Sequence, residues 1–177
     1  LKILLLVDIS GSMRGRKMQA AKIAMVMLTE ALMDLAKIRI VLFTGLRDAR
    51  NIVVKDFGES LNKSKVDKIG RHERDSSNLD GLSIKHEASK ADQEVIFIVI
   101  SDGKPAAQGG YGLRHAMREI NEVRKRFDVF AFSIDARGDY LDKLYGKNWI
   151  LTSSEDKKEL GEKILKFCRI LVKEFFR

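Results

Sequence analysis

The sequence has 177 residues, 45% of them hydrophobic and 33% charged. That is the balance of one soluble globular domain with a single core, and it excludes a disordered chain or a second domain of similar size. The formal net charge of +8 raises a nucleic-acid surface as one reading. The 33 basic residues are nevertheless interspersed with 25 acids, as across 63–68, 118–126 and 157–173, which is how solvated helix faces look.

No apolar run approaches the length needed to cross a bilayer, so no membrane contact is expected. The chain begins with Leu1 at the edge of an apolar segment, without a basic region or cleavage site ahead of it. The expectation is a single domain over residues 1–177, excised from the C-terminal part of a larger protein and lacking a secretory signal. Cys168 is the only cysteine; it cannot make an internal disulfide, which favours a reducing, cytoplasmic setting.

Residues 2–7 are apolar without alternation, as in a central parallel strand covered on both faces. After a turn over 8–15, residues 17–35 carry Ala21, Ala24, Leu28, Ala31 and Leu35 at helical spacing. Ile23, Met25, Val26 and Met27 occupy the other faces, so this helix should lie deep against the sheet. Residues 38–43 form a second strand, and 51–54 a short one that pairs with it as an antiparallel hairpin at the sheet edge. Helices are expected at 61–69 and 80–91, the second turning Leu82, Ile84 and Ala88 inward. The most hydrophobic strand, 94–100, runs into Ser101-Asp102-Gly103 and a glycine-bearing loop to Gly112. A helix at 113–126, a strand at 128–133, a short helix at 140–145 and a strand at 149–151 follow. The last helix, 155–176, has a stripe of Leu160, Ile164, Phe167, Leu171 and Phe175. Strands alternating with helices predict an α/β fold: a doubly wound, mainly parallel sheet with right-handed crossovers and helices on both faces. In such a sheet ligands bind beyond the carboxyl ends of the strands, where the topology switches.

Two carboxylates are expected there. Asp8 ends the first strand and is followed by Ser10 and Ser12, whose side chains converge with it if the loop stays extended until the helix begins. Asp102 ends the hydrophobic strand. Oxygen ligands without imidazole or thiolate select a hard cation such as Mg²⁺.

The run Val7-Asp8-Ile9-Ser10-Gly11-Ser12-Met13 resembles the Asp-x-Ser-x-Ser opening of the metal-ion-dependent adhesion site of von Willebrand factor A domains, and Asp102 resembles the third part of that site. The second part is usually a Thr within Gly-Thr-Asn-Ile. Here the chain reads Asp75-Ser76-Ser77-Asn78-Leu79-Asp80-Gly81, so Ser77 matches by position and keeps the hydroxyl without the methyl. Asp80 stands as an alternative carboxylate, or as a first-turn acid of the helix it opens. The resemblance implies the Rossmann-like fold of that family and a metal held directly by Ser10, Ser12 and Ser77, with Asp8 and Asp102 acting mainly through waters. Mg²⁺ is the implied ion, with Mn²⁺ or Ca²⁺ as alternatives, and an open position is left for a Glu or Asp of a protein partner. Stretches around 78–81, 100–105 and 109–112 narrow the resemblance to the C-terminal A domains of cobalt-chelatase subunits and nitric-oxide-reductase activation proteins. Those relatives imply a cytoplasmic protein that works with a MoxR-type AAA+ ATPase.

Enzyme readings fit less well. A phosphate-binding loop needs Gly-x-x-x-x-Gly-Lys, and after the four residues that follow Gly11 comes Arg16 in place of the second Gly. An aspartate-nucleophile phosphatase needs a second Asp where Ser10 stands. His72, His86 and His115 lack zinc spacing and read as surface or helix-face residues, Cys168 as a buried structural thiol. Trp149 and Tyr145 read as core or rim, which leaves no aromatic-basic ladder for nucleic acid. Arg14, Arg16 and Lys17, with Lys104, flank the expected metal loop; they either steer an acidic partner or simply solvate a turn.

Overall fold

The computed structural model describes residues 1–71, 75, 77–92, 94–136 and 139–176. Six strands form one sheet in the order β3-β2-β1-β4-β5-β6. They are β1 (Lys2–Asp8), β2 (Lys37–Gly45), β3 (Ala49–Lys55), β4 (Val95–Ser101), β5 (Val129–Ile134) and β6 (Trp149–Thr152). All neighbours run parallel except β3, which returns antiparallel beside β2 at the edge, the arrangement expected from the short turn between them. The helices are α1 (Arg16–Leu32), α2 (Lys63–Lys68), α3 (Asp80–Ala88), α4 (Leu113–Arg124), α5 (Tyr140–Tyr145) and α6 (Lys157–Phe175).

Strand periodicity divides the apolar residues between two cores. Ile3, Leu5 and Val7 of β1, with Ile96, Ile98 and Ile100 of β4, pack beneath α1 and α6. Leu4 and Leu6, with Phe97 and Val99, pack against α3, α4 and α5 on the other face. β1 is thus buried on both sides, which is why its sequence shows no alternation. The stripe of α6 is buried at Leu160, Ile164, Phe167 and Leu171, and Phe175 is partly covered.

Several helices are shorter than the sequence expectation, α3 ending at Ala88 and α1 at Leu32. α1 stops at Leu32, and Leu35 is exposed. The backbone N–H groups of Leu35 and Ala36 both turn back to the Leu32 carbonyl, so the chain coils tightly into β2 instead of completing another helical turn. Ala31 is exposed as well, while Ala36 takes a buried place.

Gly81 in the first turn of α3 has a packing reason. A β-carbon there would stand 2.9 Å from Ala116 Cα and 2.8 Å from the Tyr111 hydroxyl, and would overlap the Glu119 carboxylate. Only glycine lets α3 approach α4 this closely, and that approach fixes where Asp80, its neighbour, is held.

Candidate metal centre

The order of the sheet reverses between β1 and β4, since β1 is followed by β2 on one side and β4 lies on the other. Crevices at such a switch point are where doubly wound sheets bind ligands, and the sequence-predicted carboxylates meet there. Alternation explains how. Asp8 continues the face of Leu4 and Leu6, and Ser101 continues the face of Phe97 and Val99, so both turn toward α3. The β1–β4 register pairs Val7 with Ile100 and brings Asp8 beside Ser101. Asp102 continues the face of Ile98 and Ile100, toward the start of α1.

Asp8 is fully buried. Its Oδ1 accepts the Ser10 backbone N–H at 2.8 Å. Its Oδ2 accepts the Ser101 hydroxyl at 2.8 Å and the Asn78 amide at 3.1 Å. Burial pushes this carboxyl up to about 6, against the pull of hydrogen bonds from Ser10 and Ser101 and with a smaller push from Asp102. Its three donors include no cationic side chain.

Ser10 and Ser12 converge by a different route from the extended loop expected. The chain turns at once into a 3₁₀ turn, Gly11–Met13, and this curl carries the Ser12 hydroxyl to 3.3 Å from that of Ser10. The two oxygens of Asp102 then divide. Oδ1 accepts the Ser12 hydroxyl at 2.9 Å, and Oδ2 pairs with the Lys17 ammonium at 2.6 Å. The Asp102 side chain is 2% exposed and that of Lys17 34%. Lys17 is therefore part of the site, not one more cation of a solvated turn.

Ser77 is buried on the same rim, its N–H donating to the Gly45 carbonyl at 3.1 Å. Its hydroxyl makes no hydrogen bond with Asp8, Ser10, Ser12 or Asp102, so it is near the cluster without being tied to it. Ser76 and His72 lie outside the described residues. Asp80 opens α3 as a buried first-turn acid. Its Oδ1 has no partner among the described residues. Burial first, then the nearby Asp8 and Asp102 carboxylates, drive its carboxyl well above the ordinary range.

Two residues that hold the site together escaped sequence reasoning. Asn78 bridges Asp8 and Ser101, and its backbone pairs with that of Ala106, so the loop before α3 is stitched to the loop after β4. Ser101 is the single polar residue at the end of an otherwise apolar strand, a signal that could have marked it.

This donor set suits a hard cation. Adjacent ligands of an octahedral Mg²⁺ stand about 3 Å apart, close to the separation of the Ser10 and Ser12 hydroxyls. Among the described residues no group of three or more His, Cys, Asp or Glu is placed to hold a metal unaided, so the hydroxyls would have to complete the ligand set. The buried Asp8 carboxylate has no cationic donor among the described residues and would be balanced by a cation, and a cation bound nearby would also favour the ionised form of Asp80.

Elsewhere the structure offers less chemistry. His86 is exposed and contacts Lys90, while the exposed His115 stacks on Tyr111 and accepts the Gly112 N–H. Cys168 is buried, and burial raises its thiol above the usual range. Tyr145 is buried in the second core, and the indole N–H of Trp149 donates to Asp142 and to the Gly146 carbonyl. A cavity of about 440 Å³ lies at the opposite rim, between the end of α1 and the start of β2. The ammonium of Lys55 in its wall is satisfied by the Ile38 and Asp56 carbonyls. Among the described residues no helix is long and apolar enough to cross a membrane.

No protein-family model and no curated protein matches the sequence. Solved structures do match the fold. Proximal thread matrix protein 1 from the mussel byssus aligns with a TM-score of 0.71 at 15% identity, over 96% of this chain and 47% of that one. A von Willebrand factor type A protein from Catenulispora acidiphila aligns with a TM-score of 0.67 at 21% identity, over 97% and 42%. The von Willebrand factor domain of the type V pili tip protein Mfa5 from Porphyromonas gingivalis aligns with a TM-score of 0.71 at 8% identity, over 99% and 96%. The chain thus spans less than half the length of the first two proteins and nearly all of the third. With its six-stranded, mainly parallel sheet, one antiparallel edge strand and helices on both faces, the chain has the fold of von Willebrand factor type A domains.

Proposed function

We propose that this chain is a metal-dependent protein-interaction module. The observation that carries the reading is the oxygen-rich cluster at the β1–β4 switch point, where the Ser10 and Ser12 hydroxyls stand 3.3 Å apart, Ser12 bonds to Asp102 and the buried Asp8 accepts the Ser10 N–H. Ser10, Ser12 and Ser77 would hold the ion through their hydroxyls, with Asp8 and Asp102 behind them through water. Mg²⁺ suits the oxygen donors best, with Mn²⁺ or Ca²⁺ as alternatives. When bound, the ion supplies an electrophilic position that a Glu or Asp of a partner completes. The chain's own residues set the terms of that contact. Ser101, Asn78 and the Ser10 N–H fix Asp8, while Ser12 and Lys17 fix Asp102, so the site is built before the partner arrives.

Binding rather than catalysis fits the described residues. Among the described residues no histidine stands beside Ser10 or Ser12 to take a proton, and Asp8 and Asp102 already accept the hydrogen bonds that hold the site together. The similar structures include a pilus tip protein and a byssal thread matrix protein, whose names are those of parts of assemblies. The narrower reading, drawn from the resemblance of the 78–81, 100–105 and 109–112 stretches, is a cytoplasmic chelatase or activation complex driven by a MoxR-type AAA+ ATPase.

The test is thermal melting in EDTA against graded Mg²⁺. At a concentration of about 100 times Kd, linkage contributes about 2.7 kcal/mol, which for a domain of this size is a rise of roughly 5–10 °C. Asp8→Ala and Ser10→Ala should lose the rise. Identical melting with and without Mg²⁺ in the parent protein would overturn the metal reading.

A further inference from the structure

Among the described residues, Asp102 is the acid near the candidate metal position that has a cation on it. Lys17 reaches it from the first turn of α1, at 2.6 Å. Among the described residues, Asp8 is held by neutral donors and one oxygen of Asp80 has no partner. The Lys17 side chain is 34% exposed while the carboxylate it holds is 2% exposed, so the flexible lysine reaches solvent where Asp102 does not. The same Asp102 accepts the hydroxyl of Ser12, which touches that of Ser10. A cation gathered by those two hydroxyls would face the ammonium across one carboxylate, and the two like charges would repel.

On this basis, which rests on the metal reading above, we propose that Lys17 is an exchangeable counter-ion of the site: it holds Asp102 when no metal is present, leaves for solvent when a divalent ion is bound, and then stands beside the open position to meet the carboxylate of the partner. The chemistry is an exchange of one cation for another at a single buried carboxylate, with no bond made or broken. It keeps Asp102 in place in the metal-free protein, where an unpaired buried charge would otherwise be costly. It also weakens metal binding, because the ion must displace a resident charge. Once outward, the ammonium adds a second point of recognition, so the partner contact becomes selective for a carboxylate over a neutral oxygen ligand such as an amide.

Two measurements on the full chain test this, both independent of any partner. The first is Mn²⁺ affinity by calorimetry for the parent, Lys17→Met and Lys17→Arg. Lys17→Met should bind about tenfold more tightly, and Lys17→Arg, which keeps the charge, should stay within about twofold of the parent. In EDTA the order of stability should reverse, with Lys17→Met melting below the parent because Asp102 has lost its partner. The second is acetylation of Lys17 by an amine-reactive ester, read by mass spectrometry. Labelling should be slow in EDTA and several-fold faster in saturating Mg²⁺, with distant lysines unchanged. If the parent binds metal while Lys17→Met binds no tighter, or if labelling of Lys17 is the same in both conditions, the exchange is wrong and the metal site stands. If Lys17→Met binds Mn²⁺ and the parent does not, the ammonium is a fixed occupant that no metal displaces, and the exchange is overturned. If neither binds at millimolar metal, both this inference and the metal reading fall.

Discussion

The side-chain amide of Asn78 donates to Asp8 Oδ2 at 3.1 Å across 70 residues of sequence, and through the same nitrogen reaches the Ser101 hydroxyl. One amide thus ties three chain segments to the rim of the sheet. Removing it in Asn78→Ala leaves Asp8 with two donors and should cost about 1–2 kcal/mol. Asn78→Asp should cost more in EDTA, because it sets a second carboxylate against a buried one, and Mg²⁺ should recover part of the loss. Melting of both variants with and without Mg²⁺ checks this. An Asn78→Asp variant as stable as the parent in EDTA would mean that Asp8 does not feel its neighbour.

Burial sets the pH behaviour of the metal-free protein. Asp8 titrates at about 6 in the fold against an ordinary value of 3.8. The folded form therefore holds its proton more tightly than the unfolded chain, and this contribution to stability is full below pH 4 and is lost as pH rises through 6. Asp8→Asn removes the buried charge. In EDTA the variant and the parent should melt together at pH 4, and the variant should melt about 5 °C higher at pH 7.5. It should also lose the Mg²⁺ response, trading the site for stability. A parent whose EDTA melting temperature keeps rising from pH 5 to 7.5, relative to the variant, would reverse the sign.

Much of this was legible before the structure. The unalternating apolar runs of β1 and β4 announce strands buried on both faces, and Asp8 and Asp102 follow them directly, so the two carboxylates could be assigned to one rim. The helix boundary at Leu32 was not legible, because Leu35 continues the apolar spacing and only the competition from the tight entry to β2 ends α1. The curl at Gly11–Met13 was likewise hidden, since an extended loop and a 3₁₀ turn both bring Ser10 and Ser12 together. The part of Asn78, and that of Lys17 as partner to Asp102, depended on contacts between segments 70 and 85 residues apart, which no local pattern encodes.

The second segment of the site separates two ligand assignments. Ser77 offers a buried hydroxyl that is not tied to the cluster, and Asp80 offers a buried oxygen without a partner among the described residues. If Ser77 touches the ion, Ser77→Ala should weaken Mn²⁺ binding about tenfold and Ser77→Thr should keep or tighten it, because the added methyl restricts the side chain. Asp80→Asn should then change affinity only a few-fold, as a charge acting at a distance. The opposite ranking, with Ser77→Ala silent and Asp80→Asn abolishing binding, would move the ligand to Asp80.

The outer charges of the rim divide into two kinds. Lys17 is committed to Asp102, and Arg16 reaches Glu155 at 3.4 Å in an exposed pair, whereas Arg14 and Lys104 are exposed and make no ion pair among the described residues. They follow Ser12 and Asp102 in the chain, beyond the strand ends on the same rim of the sheet. Positive potential there should speed encounter with an acidic ligand without helping to hold the metal. With poly-glutamate as the probe, Arg14→Glu combined with Lys104→Glu should slow association several-fold at about 50 mM salt, and the difference should shrink toward nothing at about 500 mM, where screening is strong. The Mg²⁺-dependent rise in melting temperature should be unchanged. Slower association that persists at high salt would point to a direct contact by one of these side chains, and association indifferent to both changes would mean that these charges only solvate the turn.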